Sequence, residues 1–216
     1  MKMLETILSR KAGGGIGTNT LLLMQADKGF TDIANPSRLV QKYSNPVIGS
    51  TQSKFSNVSF DCTGGGILIP AASKKDLVFS ADKPYTIEFW AYNTSLNNVW
   101  WLYSGRSAQS DLKVYSGNVY LQDEGGSLYA PSSFMTTGKW THVAIVGTAN
   151  DKVRLFVDGK IIGVPFLPKG WGHVNQQMVI GSGEINSWAH LDQIRISNIA
   201  RYTAAFTPPT DPFVID

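Results

Sequence analysis

Tyr85-Thr86-Ile87-Glu88-Phe89-Trp90-Ala91-Tyr92 is a strand written in period two. Successive side chains of a strand point to opposite faces, so Tyr85, Ile87, Phe89 and Ala91 share one face and Thr86, Glu88, Trp90 and Tyr92 the other. Both faces carry aromatic rings, which predicts a central strand covered on both sides. The same period recurs outward from it, in Trp140-Thr141-His142-Val143-Ala144 and in Val153, Leu155 and Val157 alternating with Arg154, Phe156 and Asp158. Ile180-Gly181 and Leu191-Asp192-Gln193-Ile194-Arg195-Ile196-Ser197 follow. Asp158-Gly159 has the chemistry of a two-residue hairpin turn, whose central positions need positive φ. A second hairpin is expected around Gly117-Asn118, between 113–115 and 119–121, and Gly64-Gly65-Gly66 marks a tight turn. Leu21-Leu22-Leu23-Met24 reads as a strand buried on both faces. Residues 25–57 read as loops with one or two short strands. Many short strands joined by turns, with no long helix, predict an all-β sandwich or jelly roll of two antiparallel sheets.

A chain of 216 residues, 43% hydrophobic and 16% charged, can bury a full core as one domain. The formal charge of +3 comes without a dense Lys/Arg run, which argues against nucleic acid as a partner. Cys62 is the only cysteine, so neither an intrachain disulfide nor a cysteine-rich metal site can form. No apolar run reaches the ~18 residues of a membrane-spanning helix. Glu5 and Arg10 interrupt what would be the apolar core of a secretory signal, so folding in a reducing cytoplasm is expected. Residues 3–11 predict a short helix with Leu4, Ile7 and Leu8 on one face, followed by the glycines of 13–17. The expected division is an N-terminal arm over 1–18 and one domain over 19–216.

The order of these segments resembles the concanavalin A-like jelly roll of the laminin-G-like superfamily, in the variety common in bacteriophage virion proteins. The resemblance rests on Thr20-Leu21-Leu22-Leu23, Ser53-Lys54-Phe55-Ser56-Asn57-Val58-Ser59-Phe60-Asp61 and Tyr85-Thr86-Ile87-Glu88-Phe89-Trp90. It continues through Lys139-Trp140-Thr141-His142-Val143-Ala144, Leu155-Phe156-Val157-Asp158-Gly159 and the closing segment from Leu191 to Tyr202, with Phe206-Thr207-Pro208-Pro209 after it. It implies a non-enzymatic virion structural protein, displayed on the virion surface and assembled in the host cytoplasm. Capsid decoration is the first expectation, and a tail or baseplate accessory or receptor-binding protein the second. Capsid or tail subunits would be its partners, with Leu4, Ile7 and Leu8 anchoring the arm; a homo-oligomer, by analogy a trimer, and weak contact with cell-surface glycans are part of the same expectation. The competing class is a secreted carbohydrate-binding module or a glycan-active enzyme. The chain departs from the family pattern at Met24-Gln25-Ala26-Asp27 and at Ala189-His190. The cation site of some relatives, represented here by Asp61, Asp192 and Asn198, is therefore not expected, and no cofactor is.

A glycosidase needs two carboxylates at a defined separation. The strand of alternating acids found in related glucanases is missing. Asp123-Glu124 precedes Gly125-Gly126 and reads as a hairpin tip, while Glu88 stands alone among aromatics, so no enzyme is expected. His142, His173 and His190 lack metal-ligand spacing. Glycan contact needs exposed rings beside amides. Asn97, Asn98 and Trp101 form one such group, and Trp171, His173 and Asn175 another. Trp100 and Trp101 are adjacent, so at least one belongs to the core. Asn57-Val58-Ser59 and Asn93-Thr94-Ser95 match glycosylation sequons by accident.

Overall fold

The period-two segments become the inner strands of a two-layer sandwich. The computed structural model describes residues 18–97, 99–104, 110–115, 118–123, 126–182 and 188–216; Leu4, Ile7, Leu8 and Asn98 lie outside them. In chain order the strands are β1 (Thr20–Met24), β2 (Gln41–Ser44), β3 (Val47–Gly49), β4 (Ser59–Asp61), β5 (Gly65–Ile69) and β6 (Phe79–Ser80). Then come β7 (Tyr85–Asn93), β8 (Val99–Ser104), β9 (Ser110–Tyr115), β10 (Asn118–Asp123), β11 (Gly126–Pro131) and β12 (Trp140–Gly147). β13 (Val153–Val157), β14 (Lys160–Phe166), β15 (Gly170–Trp171), β16 (Met178–Ile180) and β17 (Ala189–Ser197) complete the set. The first sheet runs β14-β13-β12-β7-β17-β4-β3, with β1 also paired to β17, and the second runs β11-β10-β9-β8-β16-β5-β2. β15 and β6 form a small ribbon. The all-β, antiparallel sandwich expected from the sequence is the fold observed.

The core lies between the sheets. Ile87, Phe89, Val143, Ile145, Leu155 and Leu191 face Ile67, Trp101, Leu112, Val114, Leu121 and Ile180, and all are fully or almost fully buried. β7 is central, between β12 and β17. The predicted hairpin at Asp158-Gly159 is present: Val157 pairs with Lys160, and both turn residues have positive φ, 47° and 76°. Gly159 also admits a close approach, because a Cβ there would collide with the Phe206 carbonyl oxygen.

That carbonyl belongs to a strap, residues 198–216, which crosses the outer face of the first sheet. Tyr202 and Phe206 stack at 3.6 Å and lie against Phe156 and His142. Phe213 packs with Trp90 and Leu23, under the Arg195 guanidinium at 4.3 Å. At its end the strap returns to β1: Thr20 Oγ1 donates to Asp216 Oδ1 at 2.6 Å and the Asn19 N–H donates to the Asp216 carbonyl at 2.5 Å. Arg201 pairs with the Asp216 carboxylate.

Glu88 sits fully buried beneath this strap. Its Oε1 accepts from Arg195 Nε at 2.9 Å and lies 2.8 Å from Arg195 Nη2, with Arg201 Nε at 3.6 Å. Its Oε2 accepts from the Tyr202 hydroxyl at 2.9 Å and lies 3.2 Å from His142 Nε2. Glu88 is thus not the lone carboxylate of the sequence reading. Burial alone would raise its pKa, but the bond from His142 and the Arg195 charge outweigh it and hold the carboxyl below its usual value.

Removing one partner from a buried ion pair leaves the other charge uncompensated, so Glu88→Ala is expected to cost about 3–5 kcal/mol in urea-unfolding experiments. The Asp216 carboxyl is held at about 2, chiefly by its bond from Arg201, against an ordinary value of 3.8. A carboxyl with a depressed folded pKa contributes stability that is complete above the unfolded value and is lost as pH falls through the folded one. Tm should therefore drop as pH falls from the ordinary carboxylate range to about 2, and Asp216→Asn should flatten part of that slope in a pH-resolved thermal melt.

Candidate functional site

The structure separates the sequence-predicted glycan residues. β8 carries a bulge between Trp100 and Leu102, so Trp101 and Leu102 both turn into the core while Trp100 and Tyr103 face outward. Trp101 is fully buried, and its indole N–H donates to Asn93 Oδ1 at 2.9 Å. Trp171, paired with Phe79 in the small ribbon, is fully buried as well, 6.3 Å from the Tyr85 ring. A ring with no exposed face cannot stack on a sugar, so both tryptophans are corrected to core residues. Asn97 is exposed in the loop after β7. His173 and Asn175 lie at the opposite end of the sandwich, where the His173 carbonyl accepts from Lys74 Nζ beside Ser104. These residues do not converge. Asn93 of the second sequon is buried too.

The cation positions have structural partners. Asp61 Oδ1 accepts from the N–H and hydroxyl of Thr63 at 3.0 and 2.7 Å. Asp192 Oδ1 accepts from the Gln193 N–H at 2.8 Å, and the Asn198 N–H donates to the Asn19 carbonyl. Among the described residues no group of three or more His, Cys, Asp or Glu is placed to hold a metal ion. An open depression of about 410 Å³ lies between Arg195 and residues 207–214 of the strap, but its one buried charge, Arg195, is committed to Glu88.

The strap occupies the outer face of the first sheet, whereas among the described residues the outer face of the second sheet is exposed at Tyr129 and partly so at Tyr120, Gln122 and Ser127. Register places Tyr129, Tyr120, Lys113 and Trp100 side by side across β11, β10, β9 and β8. Three strand spacings of ~4.8 Å make this row roughly 14 Å long. The neighbouring row holds Ser127, Gln122, Asp111 and Tyr103. The intervening residues Leu128, Val119, Leu121, Leu112 and Val114 point into the core. Tyr129 is 57% exposed, and Tyr120, Gln122 and Ser127 are half-buried. The Tyr120 and Tyr129 rings meet edge to face at 4.6 Å. Lys113 Nζ stands 4.2 Å over the Trp100 ring and 3.2 Å from Asp111 Oδ2, so it covers that tryptophan and is neutralised locally.

Two phenol rings, one exposed and one half-buried, with an amide and a hydroxyl on rigid strands can stack on the apolar face of a sugar ring and hydrogen-bond its hydroxyls. Sequence reasoning looked for this chemistry in loops. The signal lay in the strands, where Tyr120, Gln122, Ser127 and Tyr129 occupy the period opposite to the core residues.

A family model described as the concanavalin A-like lectin/glucanases superfamily matches residues 63–205. Among curated protein sequences nothing matches significantly. Among solved structures, the binding domain of Paraclostridial Mosquitocidal Protein 1 superposes with a TM-score of 0.64 at 16% identity, covering 85% of this chain and 50% of that one. The receptor binding domain of a botulinum neurotoxin C/D mosaic serotype gives a TM-score of 0.62 at 17% identity, covering 85% and 49%. Domain 4 of an extracellular arabinanase from Geobacillus stearothermophilus, solved in complex with arabinotriose, gives 0.61 at 14% identity, covering 85% and 94%. The chain thus spans about half the length of the toxin domains it matches and almost the whole of the arabinanase domain. At these identities the likeness concerns the fold alone.

Proposed function

The chain belongs to the concanavalin A-like lectin/glucanase superfamily, and on that premise we propose that it is a non-catalytic glycan-recognition module whose contact surface is the outer face of β9–β11. The observation that carries the reading is the row of Tyr129 and Tyr120 beside Gln122 and Ser127, on the sheet face that the strap leaves open. The arabinanase domain, almost equal in extent to this chain and solved with arabinotriose, adds support for a carbohydrate ligand. The non-catalytic part of the reading is supported by Glu88, whose carboxylate is sealed under the strap and saturated by Arg195, His142 and Tyr202. The Asp111 carboxylate in the neighbouring row is fully buried and tied to Lys113.

Recognition of a glycan is the general function; the setting in which the module works is a finer matter. A secreted carbohydrate-binding or receptor-binding module takes precedence over capsid decoration, since the structures named above are toxin binding domains and an arabinanase domain. The virion reading, with its anchor at Leu4, Ile7 and Leu8, rests on the order of sequence segments.

A glycan array followed by calorimetry with arabinotriose and other neutral oligosaccharides tests the proposal. Tyr129→Ala should weaken the best ligand tenfold or more, about 1.4 kcal/mol. Its Tm should stay unchanged, because Tyr129 is largely in solvent. An array without hits, or affinity indifferent to Tyr129→Ala and Tyr120→Ala, would overturn it.

A further inference from the structure

The strap does not cover the first sheet to its end. It lies over the rows containing Glu88 and His142, and Phe55 closes over Trp90 at 5.8 Å. The next row, Trp140, Tyr92, His190 and Asp61 on β12, β7, β17 and β4, lies beyond that cover. Trp140 and Tyr92 are half-buried with ring centroids 5.8 Å apart, and Tyr92 meets the His190 ring edge-on at 6.1 Å. One step further, the N–H and hydroxyl of Thr94 both donate to the Trp188 carbonyl, at 2.7 and 3.1 Å. Trp188 precedes His190 by two residues, which puts it on the same face, and it is 46% exposed. One exposed and two half-buried aromatic side chains therefore line one end of this sheet.

Polar groups grade along the strip. At the β12–β7 side Lys54 Nζ stands 3.8 Å over the Trp90 ring. Asp158, the carboxylate acting on Lys54, is also the ion-pair partner of Lys139 at 3.6 Å, so two ammonium groups share one carboxylate. Burial lowers the Lys54 pKa against the pull of Asp158, which marks a cation short of compensation. At the other side Asp61 lies two strands from Tyr92, roughly 10 Å away. Between them His190 is almost fully buried and its Nδ1 has no hydrogen-bond partner.

We propose that this strip is a second binding site, independent of the tyrosine face, that takes a sugar ring bearing a carboxylate. The ring lies on the Trp140, Tyr92 and Trp188 side chains. The carboxylate turns toward Lys54, away from Asp61, and a ring hydroxyl meets His190. The charge gradient sets this orientation and disfavours the reverse one.

The test follows the indole N–H resonances of the six tryptophans in the full chain as glucuronic acid, N-acetylneuraminic acid or glucose is added. Shifts are expected at Trp188 and Trp140 and not at the buried Trp101 and Trp171. The acidic sugars should bind at least tenfold more tightly than glucose and weaken with salt. Lys54→Gln and Trp188→Ala should each weaken them tenfold or more, while Tyr129→Ala should leave them unchanged. Trp188→Ala, at an exposed position, guards against misfolding of the lysine variant. Absence of indole shifts at saturating glucuronic acid, equal binding of glucose, or indifference to both variants would overturn the site, whatever the outcome at Tyr129.

Discussion

An ionised carboxylate in a dry layer must be met on both oxygens, and Glu88 imposes that condition on this sandwich. Its partners come from β17, from β12 and from the strap, so satisfying one side chain fixes three separate pieces of chain. A buried ion pair of this kind contributes less to net stability than its contacts suggest, because desolvation offsets the attraction. What it specifies is a path. With Tyr202 drawn to Oε2, Phe206 follows onto Phe156 and reaches Gly159, where only the lack of a Cβ permits the contact. That path decides which surfaces remain for recognition.

The two faces of the sandwich are consequently unequal. The first sheet gives much of its outer face to the strap and leaves the end row around Tyr92 and Trp140 half-buried. The second sheet leaves Tyr129 exposed and Tyr120 half-buried, on neighbouring strands held in register by their pairing. Sites built on strands hold their geometry better than sites on loops. The fold thus offers rigid, mostly polar-aromatic surfaces instead of a deep pocket, which suits recognition of an extended ligand by area rather than enclosure.

Much of this was legible in the sequence. The alternation around Phe89, Val143 and Leu155 identified the strands of the first sheet, and Asp158-Gly159 identified its hairpin, because burial and turn geometry act on neighbouring residues. The segment order resembled the superfamily to which the chain belongs. The glycan residues were misplaced for a physical reason. Period two assigns Trp100 and Trp101 to opposite faces but does not say which is inside, and the bulge in β8 turns Trp101 and Leu102 inward together. The partners of Glu88 were equally hidden, since Arg195 and Tyr202 are more than a hundred residues away and only tertiary packing brings them together.

The pairing of β1 with β17 bears on how the molecule responds to load. Thr20 pairs with Ser197, and Asp216 is bonded to Asn19, so residues 19 and 216 lie side by side at the same end of an antiparallel pair. Tension applied at these points would not shear the ladder, where many hydrogen bonds resist at once. It would part the bonds of Asn19 and Thr20 to Asp216 first, then peel the strap and unzip β1 one bond at a time. A sandwich tethered this way yields at its seam under modest force, whereas one gripped through its β9–β11 face would pull across the full width of the second sheet.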